Sequence, residues 1–112
     1  AETAKRLGVS QFQRTDEPIT QIEEIAQTLS THVYISFDLD ALDPSIMSAV
    51  GTPEPGGMQW WEALKIIRFV ARRCRLVGFD VVELAPQQGP ESSAYTAAKL
   101  AYKMIGYAGL SL

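Results

Sequence analysis

One cysteine and one histidine are all that these 112 residues hold of two side chains central to nucleophilic and transition-metal chemistry. With Cys74 alone, no intrachain disulfide can form, which fits a reducing compartment. Cys74 also stands among arginines at a helix end, without the histidine partner and cleft that a thiolate nucleophile wants. No apolar run approaches the roughly 20 residues of a membrane span, and no signal peptide is visible. A cytoplasmic protein with no membrane partner is the expectation. An excess of basic charge is missing too. The net charge is −3, which argues against nucleic acid as a partner, because phosphate binding needs a basic surface. Arg72, Arg73 and Arg75 cluster, but at the end of a predicted helix, where cations suit the macrodipole. Internal repeats, low-complexity segments and domain boundaries are absent.

What is there has an ordinary globular composition, 46% hydrophobic and 21% charged, which argues against disorder. The chain is organised around Val33-Tyr34-Ile35-Ser36-Phe37-Asp38-Leu39-Asp40, a β-rich apolar run that ends in two acids. Side chains alternate along a strand, so a strand over 33–39 would point Asp38 and Asp40 to one side at its C-terminal end. Open α/β sheets place their sites beyond such ends. Oxygen ligands for a divalent cation are the chemistry this pair offers. The bland alternative is that both acids merely cap the turn before Pro44.

Around this stretch the chain reads in order. Residues 1–7 resemble the end of a helix, closed by Gly8 as its C′ residue. Val9–Gln13 is a short strand candidate, followed by a polar loop, Arg14–Pro18. Thr20-Gln21-Ile22-Glu23 has a capping-box pattern, and Ile22, Ile25, Ala26 and Leu29 mark one helical face. The continuous apolar character of 33–39 suits a parallel strand buried on both faces. A loop rich in Pro and Gly, Asp43–Gly57, is long enough to wall a site. A helix over Gln59–Cys74 places Trp61, Leu64, Ile67 and Val70 inward, with Gln59 a poor cap. Leu76–Leu84 is the next strand, completing a parallel, right-handed βαβ unit. After the loop Pro86–Glu91, Ser92 or Ser93 is expected to cap a final helix that packs Ala94, Ala97, Ala98, Ala101 and Ile105 and ends at Gly106.

Three blocks carry a resemblance. Ser36-Phe37-Asp38-Leu39-Asp40-Ala41-Leu42-Asp43-Pro44-Ser45, then Gly51-Thr52-Pro53-Glu54-Pro55-Gly56-Gly57, then Gly78-Phe79-Asp80-Val81-Val82-Glu83-Leu84-Ala85-Pro86 resemble the signatures of the ureohydrolases, the family of arginases and agmatinases. The Pro-Glu-Pro form of the second block looks more like an agmatinase. The resemblance implies an α/β, three-layer arginase-like fold with a mostly parallel sheet. It also implies hydrolysis of a guanidino compound such as agmatine to urea and an amine, on a pair of Mn²⁺ ions, as in polyamine biosynthesis. Residue by residue, Asp38 and Asp40 match metal-ligating aspartates, and Glu83 matches the glutamate that pairs with the guanidinium. Thr52 matches a loop residue near the metals, taken with Glu83 as substrate-binding. Asp43 and Asp80 look like supporting residues. Ser48, Ala49 and Val50 stand where the family commonly has Pro and Gly.

The family's domain is more than twice this length, and the chain opens on helix without a methionine. A C-terminal fragment of one such domain, residues 1–112, is therefore expected. The family's other ligands, two histidines and two aspartates, and its proton-transfer histidine have no counterpart here. His32 lies roughly 20 Å from Asp38 along the same strand and cannot stand in. The chain alone is thus expected to be inactive and, with strand edges unpaired, to self-associate as a homo-oligomer. Two other readings compete. One is a non-catalytic, truncated or degenerate remnant serving as an assembly module. The other is a haloacid-dehalogenase-like phosphatase, which also places Asp-x-Asp after an apolar strand but has Gly-Thr where Ala41-Leu42 stand.

Overall fold

The computed structural model describes residues 2–17 and 21–110. Its elements are α1 (Glu2–Arg6), α2 (Ile22–Gln27), β1 (His32–Asp38), α3 (Trp60–Arg73), β2 (Arg75–Val82) and α4 (Glu91–Gly109). Short 3₁₀ turns cover Leu39–Ala41 and Pro86–Gln88. Strands β1 and β2 pair in parallel, from His32 with Arg75 to Asp38 with Val82, with an irregularity between Val33 and Tyr34. Helix α3 is the crossover that lets neighbouring strands run the same way.

Burial along β1 alternates instead of covering both faces. Val33 and Phe37 are buried, while Tyr34, Ser36 and Asp38 are exposed. Ile35, Phe37, Phe79 and Val81 join one core with Leu64 and Ile67 of α3 and Leu100 and Met104 of α4. Both helices therefore cover the same face of the strand pair, and among the described residues the other face stays open. Among the described residues no strand pairs with the edge of β1 away from β2. That edge borders a groove of about 490 Å³ lined by Ile25, Leu29, Val33, Ile67 and Val70 among others.

Helix α3 buries Ala63, Leu64, Ile67, Val70 and Ala71. At 3.6 residues per turn, Trp61 lies about 120° from the centre of that stripe, and it is 73% exposed. Trp60, one residue earlier, falls on the stripe and packs on the core. The expected inward face was therefore right at Leu64, Ile67 and Val70 and wrong at Trp61. Gln59 is the N-cap and makes no capping hydrogen bond through its side chain. At the other end, Arg73 lies over the Phe69 ring and pairs with Glu23 of α2 at 2.8 Å. The arginine cluster thus includes a contact between two helices.

Several boundaries move. Val9–Gln13 forms no strand, since an extended segment gains a ladder only beside a partner. Helix α1 is followed by Gly8 at φ +72°, the left-handed cap that glycine allows. Helix α2 has Gln21 as N-cap without a side-chain hydrogen bond; the capping box rests on Thr20, outside the described residues. Leu29 lies beyond α2 yet packs beside Val33. Helix α4 buries Ser93, Ala97, Leu100 and Met104 and runs through Gly106 to Gly109. Ala94, Ala98 and Ile105 are exposed, because the 4-3-4 spacing of the buried set puts them off the core face. Pro90, not a serine, is the N-cap of α4. No helix among the described residues is long and apolar enough to cross a membrane.

Candidate metal centre

Strand β1 ends at Asp38, and Asp40 lies beyond it in the 3₁₀ turn. Alternation along a strand is therefore not what relates the two acids. Asp38 Oδ1 accepts a hydrogen bond from the Asp40 backbone N–H at 2.9 Å, the bond that starts the turn. Between them Leu39 is fully buried and anchors the turn to the core. The Thr52 hydroxyl donates to Asp40 Oδ2. Asp40 Oδ1 is buried and has no hydrogen-bond partner. A buried carboxylate oxygen left unpaired is costly, and it suits a cation as its missing partner.

The loop that carries Thr52 is closed at its base by Met58 N–H to Ala41 O at 2.8 Å and Asp43 N–H to Met58 O at 2.9 Å. Asp43 supports it from inside. Its Oδ1 accepts from Ser45 N–H at 2.9 Å, and its Oδ2 from Gly56 and Gly57 N–H at 2.9 and 3.2 Å. Hydrogen bonding from Ser45, then from the two glycine amides, holds the Asp43 carboxyl below the usual carboxylate range. At Gly57 a Cβ would come within 2.5–2.8 Å of the Leu42 and Asp43 backbone, so only glycine lets the loop close this tightly. From outside, Arg14 donates to Gly56 O at 2.6 Å and pairs with Glu62 of α3 at 3.0 Å. Contact with Glu62 raises the Arg14 pKa above its ordinary value. The sequence carries no signature of this clasp. Forty-eight residues separate Arg14 from Glu62, and neither lies in a recognisable motif.

Asp80 is the register partner of Ser36. It accepts from the Ser36 hydroxyl at 2.7 Å and the Tyr34 hydroxyl at 2.9 Å, which pushes the Tyr34 phenol up. Asp80 thus ties β2 to β1. Glu83 lies one residue past β2, after Val82, the register partner of Asp38. Its φ of +76° makes it the one non-glycine residue among those described in the left-handed region. Its neighbours do not continue the β1 ladder. Leu84 bridges antiparallel to Val50, and Ala85 N–H donates to Ala49 O at 2.8 Å.

The structure therefore joins Asp38, Asp40 and Thr52 directly, with Asp43 beneath their loop and Glu83 at the adjacent strand end. His32 is at the opposite end of β1, exposed, and Cys74 is buried and free. Among the described residues, no group of three or more His, Cys, Asp or Glu side chains is placed to hold a metal ion. Asp38 and Asp40 alone fall short of such a group.

The chain as a whole is similar to known proteins. The arginase family model matches residues 2–106. An N(1)-aminopropylagmatine ureohydrolase of Synechocystis is 43% identical over 96 residues, 86% of this chain and 31% of the relative. An agmatinase of Chromobacterium violaceum is 45% identical over 86 residues, 75% of this chain and 26% of the relative. The structure of an arginase from Medicago truncatula superposes with a TM-score of 0.74 at 30% identity, covering 99% of this chain and 35% of that one. The chain thus spans about a third of the length of the relatives it matches. A parallel α/β unit with two aspartates at the end of its first strand and in the turn that follows, matched by that family model over nearly its whole length, is a member of the arginase family.

Proposed function

We propose that this chain is the C-terminal part of a binuclear-manganese ureohydrolase that releases urea from agmatine or its N(1)-aminopropyl derivative. The observation that carries the proposal is the buried, unpartnered Oδ1 of Asp40, beside Asp38 and steadied by Thr52. The donors that this chain offers are all oxygen, which suits Mn²⁺. Asp38 and Asp40 would hold the metals. What the metals would supply is a hydroxide available at neutral pH. Thr52 orients the Asp40 carboxylate, and Asp43 keeps the loop that carries Thr52 closed. Glu83 binds the guanidinium, since carboxylate and guanidinium meet through two parallel hydrogen bonds. Relatives named for agmatine and for its aminopropyl derivative support a substrate with this head group.

The remaining ligands and the proton-transfer histidine would come from parts of the whole protein outside these residues. The isolated chain would then be inactive. In the complete protein, Asp40→Asn should lose bound manganese and urea release together, measured by elemental analysis and a urea assay. Urea release from agmatine by a fully active Asp40→Asn variant would refute the proposal. A complete wild-type protein that binds no manganese and releases no urea would favour the non-catalytic remnant.

A further inference from the structure

Glu83 is held in a backbone conformation that a side chain with a Cβ adopts at a cost. What holds it is a change of partner. Through Val82 the chain pairs in parallel with β1, and from Leu84 it pairs antiparallel with the segment at Ala49 and Val50. One residue makes that switch, and it is Glu83. The conformation of Glu83 therefore depends on where residues 49–50 sit.

That segment is fixed from α4. Ala49 and Val50 are fully buried. Ala49 N–H donates to the Ser93 hydroxyl at 3.3 Å, and Ser93 is the one buried polar side chain among the described residues, 2% exposed. Gly89, just before α4, lies so close that a Cβ there would come within 2.7 Å of Ala49 Cβ and 2.9 Å of its Cα and N. On its other side, Ala49 O takes the Ala85 N–H. We infer that Ser93 is a positioning residue: through Ala49 and Ala85 it sets the backbone of Glu83, and so the presentation of the Glu83 carboxylate to a cationic head group. The inference rests on the reading of Glu83 as the partner of the guanidinium.

The test uses the complete protein loaded with manganese, with agmatine as substrate, and compares Ser93→Ala, Glu83→Gln and the double variant. Ser93→Ala should raise KM about tenfold, leave manganese content unchanged and lower kcat little. In the Glu83→Gln background the same change should add nothing, because the carboxylate it positions is gone. Hydrogen exchange at the Ala85 amide should also quicken about tenfold in Ser93→Ala, with or without metal. If Glu83→Gln leaves KM and kcat untouched, the role of Glu83 fails and the inference falls with it. If Glu83→Gln is impaired while Ser93→Ala matches wild type in KM and Ala85 exchange, the positioning role alone is overturned. Ser93→Cys is close in size and a weaker acceptor, and it carries the same comparison if Ser93→Ala does not fold.

Discussion

Replacing Glu83 by glycine should stabilise the protein while it disables the site. The left-handed conformation costs a residue with a Cβ about 1–2 kcal/mol, and Glu83 adopts it at φ +76°. Glycine escapes that cost but loses about 0.5–1 kcal/mol through the greater freedom of its unfolded chain. Glu83 is exposed, so little packing disappears with the side chain. The balance is a gain of about 0.5–1 kcal/mol for Glu83→Gly, worth roughly 1–4 °C in a domain of the relatives' size. Glu83→Ala is the control. Alanine loses the same carboxylate but keeps the conformational cost, so it should melt below the glycine variant by about 1 kcal/mol equivalent. Thermal and urea denaturation of the complete protein at equal metal loading would measure both, with an unchanged urea slope showing that the surface exposed on unfolding is the same. Activity toward agmatine should fall in both variants. An alanine variant as stable as the glycine variant would refute the idea that backbone strain is stored at Glu83.

In Thr52→Val, Asp40 loses its hydroxyl partner, and manganese affinity should fall about 10–100-fold, the usual effect of removing a group that orients a ligand; a metal titration giving wild-type affinity would refute the contact's importance. Because hydrogen bonding depresses the Asp43 pKa in the folded state, its contribution to stability is present above the unfolded value of about 4 and is lost as pH falls through the folded value. Asp43→Asn should therefore be less stable at neutral pH and show a shallower loss below pH ~4 in denaturant titrations, and parallel acid limbs for the two proteins would contradict this. The 12.3 kDa chain studied alone, with the outer edge of β1 and its groove uncovered, should associate at micromolar concentration. Light scattering that showed a monodisperse monomer with a cooperative melt would overturn that expectation.

Features set by near neighbours along the chain are written in the order of its residues. Asp38 and Asp40 at the end of an apolar run, the Pro/Gly-rich loop behind them and the strand–helix–strand order were legible because residue spacing and turn chemistry are local. The same locality made Gly8 readable as a cap and Gln59 as a poor one. Whatever needed a partner distant in sequence came only with packing. Asp40 left the strand because β1 ends at Asp38, whose carboxylate starts a 3₁₀ turn over the buried Leu39. Val9–Gln13 found no strand to pair with. Ser93, expected as a cap, was drawn into the core to take the amide of Ala49. The clasp of Arg14 on Glu62 and Gly56 joins segments more than forty residues apart, and no periodicity announces it. Glu83 was visible as a carboxylate near a strand end, but its left-handed backbone was not. That follows from the exchange of one pairing partner for another across a single residue, which only the packed chain imposes.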